Sequence, residues 1–221
     1  IVLTNQFHDI IPGSSVKEVY DVTDGEYERV FRELKELCGG AEKALLSAVN
    51  TDGGYFVFNS NAAREFDVVE ENGRYVSLKN IPAVGYGVVQ KADSGRPLCG
   101  NSRRLENAWF VVEFDEKMRI SRLCDKRCGR EVLQEGEVGN RLVAYEDLPL
   151  EYDAWELRDF YREKSWEIDD VQGVGYKDQG DRIEVIIERK FENSRIRQEI
   201  ALYRDIPRID FNTRADWQTE H

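Results

Sequence analysis

The sequence has no long apolar run. Its hydrophobic stretches, such as the one around Ala108 to Val112, last only a few residues. A membrane-spanning helix needs about 20, and the apolar core of a signal peptide about 7 to 15. A spanning helix and an export signal are therefore not expected, and the chain reads as soluble, cytoplasmic and without membrane contact. Basic charge is also scarce, with 31 Lys and Arg against 43 Asp and Glu and a formal net charge of -12. No block of Lys or Arg is dense enough to form a local basic stripe, which argues against nucleic acid as a partner. Cysteine occurs four times, at Cys38, Cys99, Cys124 and Cys128. That scatter fits reduced thiols in a cytosolic protein better than a disulfide framework. A phosphate-cradling loop, a dinucleotide fingerprint, a Gly-x-Ser-x-Gly elbow and a His-Glu-x-x-His helix are all missing.

The 221 residues are enough for one or two domains with a core that needs no staples. The chain starts at Ile1 rather than Met, and its last residues follow a strand-like run without tail composition. A piece of a longer chain is the expectation.

Pro12-Gly13 stops the opening segment. Ser14 and Ser15 then offer an N-cap for a short helix reaching about Tyr20. Thr23 or Asp24 offers a cap for a second helix, in which Tyr27, Val30, Phe31, Leu34, Leu37 and Cys38 recur at helical spacing. Gly39-Gly40 interrupts that pattern before Ala44, Leu45 and Ala48 resume it, so a break or a full turn is expected there. Asn50-Thr51-Asp52-Gly53-Gly54 is a run of turn formers, and beyond it the period becomes alternating. Strands are expected at 55–59, 63–70, 74–78, 84–91, 105–114, 120–125, 182–191, 194–203 and 208–215. Glu71-Asn72-Gly73 and Glu192-Asn193-Ser194 carry tight hairpin signals. The fold class expected is mainly β, an antiparallel β-sandwich preceded by an N-terminal α-helical hairpin, with residues 1–52 in one domain and 53–221 in the other. Asp147 to Tyr161 breaks the strand rhythm and reads as a long loop or short helix over the sandwich, a length at which loops tend to carry function.

Few residues offer chemistry by spacing alone. His8 is followed by Asp9 just before the Pro-Gly stop, and imidazole suits zinc while a carboxylate suits a sugar hydroxyl. A zinc site needs three or four ligands and no further His lies within ligand spacing, so on spacing alone a hydrogen-bonded histidine at an element end is the better reading of the pair. Cys124 and Cys128 lack a second pair to complete a tetrahedral site and read as a hairpin end with two thiols. Asp147, Asp153 and Glu156 are acid/base candidates among 43 carboxylates, and a solvated face accounts for them too. Trp109, Trp155, Trp166 and Trp217 offer faces for a pyranose ring or for a sandwich core. Trp155 is singled out because it lies in the irregular segment.

The run Asn5-Gln6-Phe7-His8-Asp9-Ile10-Ile11-Pro12-Gly13-Ser14-Ser15 resembles the motif that closes the catalytic site of glycoside hydrolase family 38, the α-mannosidases. Phe58-Asn59-Ser60, Leu105-Glu106-Asn107, Val111-Val112-Glu113-Phe114, Gly129-Arg130-Glu131, Gly139-Asn140-Arg141-Leu142, Glu146-Asp147-Leu148-Pro149 with Tyr152-Asp153-Ala154-Trp155, and Asp216-Trp217 agree in order and approximate spacing. The resemblance runs over essentially the whole chain.

It implies a retaining, metal-dependent glycosidase that cleaves α-linked mannose in an oligosaccharide. His8 would be a ligand of an active-site zinc and Asp9 the carboxylate that contacts the sugar at that metal. The aromatic and acidic content of the irregular segment, in turn, makes Trp155 and Asp153 the expected substrate contacts there. The nucleophile and the remaining ligands would come from an N-terminal α/β barrel domain outside this chain. Residues 1–52 would then end a central helical-bundle domain, and residues 53–221 would begin the large β domain. Alone, the chain would carry no catalytic residue, would be inactive and would hold no zinc. A rival reading is a non-catalytic carbohydrate-binding or scaffolding sandwich. The number of subunits, a homo-oligomer included, is open.

Overall fold

A computed structural model describes residues 1–151 and 155–219 of the chain. They form two compact units, one of residues 1–52 with 146–151 and 155–164 and the other of residues 53–145 with 165–219.

The first unit opens with a single helical turn, α1 (Val2–Asn5), and continues through turns to a long helix, α2 (Lys17–Ala48). The expected helical hairpin is instead this one helix of 32 residues. Gly39 and Gly40 do not break it, because neither takes a positive φ and the flanking Glu36, Leu37, Ala41, Glu42, Lys43 and Ala44 are strong helix formers. A glycine costs a helix only about 1 kcal/mol, and it needs a partner such as proline or a left-handed backbone to stop one. The expected caps are also replaced. Val16 is the N-cap residue and its side chain makes no capping bond. Thr23 lies inside the helix, buried, with its hydroxyl donating back to the Val19 carbonyl at 2.8 Å. The apolar residues Val22, Phe31, Leu34, Leu37 and Leu46 along α2 are exposed. Of the irregular segment, Asp159–Glu163 forms a short 3-10 helix, and the segment belongs to this first unit rather than to the sandwich.

The second unit begins with a four-stranded antiparallel sheet in the order β1-β4-β3-β2, made from β1 (Tyr55–Asn59), β2 (Arg64–Glu71), β3 (Arg74–Ile81) and β4 (Gly85–Lys91). Asn72 and Gly73 both take positive φ in the β2–β3 turn, at 52° and 75°, the mirror-image geometry that matches the twist of a hairpin. Leu78, Ile81 and Val89 form its buried cluster.

A five-stranded sheet follows, with β5 (Leu98–Asn101), β6 (Arg104–Asn107), β7 (Phe110–Phe114), β8 (Ile120–Asp125) and β9 (Arg130–Glu131) in sequential order. The strand expected over 105–114 is two strands, split at Asn107. That side chain is fully buried and accepts the amides of Trp109 and Phe110 at 2.9 and 2.7 Å, so the chain turns where the apolar pattern runs on.

After the two-stranded pair β10 (Val143–Tyr145) and β11 (Ser165–Glu167), a four-stranded antiparallel sheet is built from β12 (Asp170–Asp178), β13 (Arg182–Phe191), β14 (Ser194–Tyr203) and β15 (Ile209–Asp216). Alternation puts Ile183, Val185 and Ile187 of β13 and Ile200 and Leu202 of β14 on one face. There they pack with Leu105, Val112, Phe114, Met118 and Ile120 into the main core. Burying each such side chain stabilises by about 1.5 to 3 kcal/mol. The arrangement is the expected antiparallel β-sandwich class. No helix among the described residues is long and apolar enough to cross a membrane.

Candidate functional site

His8 and Asp9 lie in the first unit, in the run of turns between α1 and α2. Two successive bonds wind the start of this run, Ile10 and Ile11 each donating an amide to the Phe7 carbonyl at 2.9 and 3.1 Å. Gly13 donates to the Ile10 carbonyl at 3.2 Å and takes φ +83°. That left-handed geometry is where a side chain is strained and glycine is not. Pro12-Gly13 thus reverses the chain and sends it into α2.

The His8 side chain is 77% exposed, and its Nε2 stands 3.6 Å from Oδ2 of Asp9. The gap exceeds hydrogen-bond range, so Asp9 does not fix the imidazole, and the nearest ring is Phe7 with centroids 4.2 Å apart. An accessible imidazole beside a carboxylate has the donor chemistry of one ligand and one hydroxyl acceptor. It is not a complete metal site, because no group of three or more His, Cys, Asp or Glu converges among the described residues. His8 and Asp9 thus match zinc only as a partial donor set.

The turn is tied to its surroundings by side chains. The Tyr20 hydroxyl receives the Ser15 amide at 3.0 Å and lies 3.2 Å from the Asp9 carbonyl and 3.4 Å from that of Ile10. Ser14 Oγ donates to the same Asp9 carbonyl at 3.4 Å. Trp155 reaches the turn as well, its indole N–H donating to the Ser14 carbonyl at 3.1 Å while the residue stays 68% exposed. The structure therefore brings Trp155 to the turn that carries His8 and Asp9. Asp153 lies outside the described residues. Glu156 forms an ion pair with Arg158.

Tyr20 and Ser14 went unnoticed as contributors in the sequence. Tyr20 reads there as the end of a short helix and Ser14 as a cap, and only the observed start of α2 puts the phenol over the turn. The other chemical candidates are structural in their surroundings. Cys124 is buried in β8 and Cys128 is exposed, and both are free thiols. Burial and then Glu131 push the Cys124 thiol up, away from the thiolate a metal would need. Trp166 and Trp217 flank Phe191, which stacks on Trp217 with centroids 5.7 Å apart.

Comparison with known proteins supplies the remaining findings. Residues 105–221 match the model of the glycosyl hydrolases family 38 C-terminal domain, and residues 1–45 match the alpha mannosidase middle domain. The chain is 27% identical to alpha-mannosidase 2C1 of Homo sapiens, over 100% of this chain and 23% of that protein. It is 26% identical to alpha-mannosidase 2C1 of Mus musculus with the same two coverages. Alpha-mannosidase G of Dictyostelium discoideum is 23% identical over 100% of this chain and 26% of its own length. The chain thus spans about a quarter of the length of the curated relatives it matches.

Proposed function

Because the chain belongs to glycosyl hydrolase family 38, we propose that it is the junction between the middle domain and the C-terminal β domain of an α-mannosidase, and that it lends one wall to the active site. Residues 1–52 end the middle domain and residues 53–221 begin the β domain, with the stretches 146–151 and 155–164 of the latter grouped with the first compact unit. The observation that carries this reading is the exposed His8 imidazole beside Asp9, on a turn that Trp155 also reaches. His8 serves as one ligand of a divalent metal, zinc by the chemistry of an imidazole and carboxylate donor set. Asp9 accepts hydrogen bonds from sugar hydroxyls. Trp155 presents an exposed indole face to a pyranose ring on the leaving-group side, its N–H being occupied by Ser14. Asp153 is a substrate contact from the same segment.

The metal, when bound, supplies Lewis-acid contact to ring hydroxyls. The residues of this chain would orient the sugar and, through His8, help to hold that Lewis acid in place. The carboxylate nucleophile of a retaining glycosidase, and the remaining metal ligands, come from a barrel domain in a longer protein. By itself the chain is inactive, since one histidine cannot supply the many kcal/mol by which a glycosidase lowers its barrier. The substrate is an α-mannoside oligosaccharide, and a cytoplasmic setting agrees with the four free cysteines.

Calorimetric titration of this chain with mannose, with and without zinc, separates the proposal from a free-standing carbohydrate-binding sandwich. The proposal expects no measurable heat in either case and no release of nitrophenol from an aryl α-mannoside. Mannose binding by the chain without metal would overturn it in favour of the binding module.

A further inference from the structure

We propose that Tyr20 is a positioning residue, whose hydroxyl holds the backbone of the His8–Asp9 turn in register for binding; this rests on the reading of His8 and Asp9 as site residues. The geometry follows from where α2 starts. Tyr20 is the fourth residue of the helix counted from Lys17, and helical side chains lean toward the N-terminus. The phenol therefore projects past the helix start and meets both limbs of the reversal at Pro12-Gly13. Its oxygen accepts the Ser15 amide at 3.0 Å on the returning limb. Its proton is shared between the Asp9 and Ile10 carbonyls, at 3.2 and 3.4 Å, on the outgoing limb.

The backbone bonds of this turn stay within residues 7–13, so they shape the outgoing limb without joining it to Ser15. The limbs are joined by Tyr20 and, more weakly, by Ser14 Oγ on the Asp9 carbonyl at 3.4 Å, while just ahead of the turn Asn5 Nδ2 donates to Glu26 Oε2 of α2 at 3.0 Å. Asp9 does not restrain the imidazole across 3.6 Å. Placement of His8 therefore depends on its backbone, and the Tyr20 bond to the adjacent residue's carbonyl holds that backbone to the start of α2, beside the Ile10 and Ile11 amides on the Phe7 carbonyl that wind it. A hydroxyl 11 residues away in sequence from the group it holds acts through the turn.

The test is Tyr20→Phe in the longer protein that carries this chain, with Tyr27→Phe as the control. Tyr27 is on the same helix and its ring stacks on Phe31. Loss of the hydroxyl's two hydrogen bonds predicts a roughly tenfold to thirtyfold faster loss of zinc to a chelator. It predicts a fall in kcat of the same order, with KM and the thermal midpoint close to those of the control. A Tyr20→Phe protein whose zinc release and kcat match the control overturns the inference. Were Tyr20→Phe not to fold, amide exchange of the unmodified protein decides: the Ser15 amide is protected if the bond forms, and exchange at the free rate refutes it. His8→Ala beside it separates the two claims. If His8→Ala keeps zinc and turnover, the site reading falls and takes this inference with it; if His8→Ala loses zinc while Tyr20→Phe behaves normally, only the inference falls.

Discussion

Truncating Asn107 to alanine should be among the most damaging single changes to the β-sandwich. The side chain is fully buried between β6 and β7 and makes three bonds that no neighbour duplicates. Its amide donates to the Tyr203 carbonyl at 2.9 Å, and its carbonyl accepts Trp109 and Phe110 at 2.9 and 2.7 Å. At a net value of about 1 kcal/mol per bond, Asn107→Ala loses about 3 kcal/mol, and more if the buried Tyr203 carbonyl is left unpaired. That is a large share of the roughly 5 to 15 kcal/mol that holds a domain folded. With a urea m-value of about 2 kcal/mol/M, the midpoint should fall by about 1.5 M without a change in slope. Asn101→Ala is the matched control, because its carbonyl also accepts one backbone amide, that of Arg103 at 2.7 Å, but in an exposed turn. Tryptophan fluorescence reports both transitions. An Asn107→Ala midpoint no lower than that of Asn101→Ala would refute the argument.

Three other outcomes follow from the geometry. Gly13→Ala should destabilise the first unit by about 1 to 2 kcal/mol through φ +83° alone, since a Cβ there would meet nothing within 4 Å; an unchanged thermal midpoint contradicts this. Arg189 is buried with its guanidinium on neutral acceptors, the carbonyls of Lys117 and Met118 at 3.2 and 2.8 Å and Gln198 Oε1 at 3.1 Å. Burial holds that guanidinium below its usual range, yet Arg189→Met should still cost about 2 kcal/mol by removing the donor to the Lys117 and Met118 carbonyls, Gln198 Oε1 keeping Asn140 Nδ2, and a gain in urea resistance would show the opposite balance. At Asp115, burial pushes the carboxyl up, but bonds from the Arg119 amide and guanidinium outweigh it and hold the group below the usual range. The folded state then binds its proton less readily than the unfolded one. Its contribution is complete above about pH 4 and is lost as pH falls through the lowered folded value. Asp115→Asn should flatten stability against pH in that acid window, and an identical acid limb would show that the carboxylate contributes nothing there.

Strands with clean alternation and firm turn residues could be read from sequence to the residue. Tyr55–Asn59, Ile120–Asp125, Arg182–Phe191 and Ser194–Tyr203 stand where the pattern puts them. β12 was hidden because Gly173 and Gly175 dilute its apolar alternation and a bulge between Val171 and Gly173 shifts its register. The division at Asn107 was hidden because a buried amide turns the chain inside an apolar run. Gly39-Gly40 looked like a break because glycine permits one, and permission is not a cause. At the candidate site, His8 and Asp9 were adjacent in sequence, but spacing alone favoured an ordinary element-end histidine, and motif likeness singled them out. Tyr20 could not be found that way. Its role depends on α2 starting at Lys17, a boundary set by the turn rather than by a side-chain cap.

The central claim is that the turn at His8 and Asp9 forms part of a metal-dependent mannosidase site. The most direct test is hydrolysis of an aryl α-mannoside by the longer protein that carries this chain, wild type beside His8→Ala, with zinc content measured on the same samples. The account predicts that His8→Ala loses both zinc and turnover while the β domain keeps its thermal midpoint. Full turnover with zinc retained would contradict it and leave His8 as an exposed histidine on a structural turn.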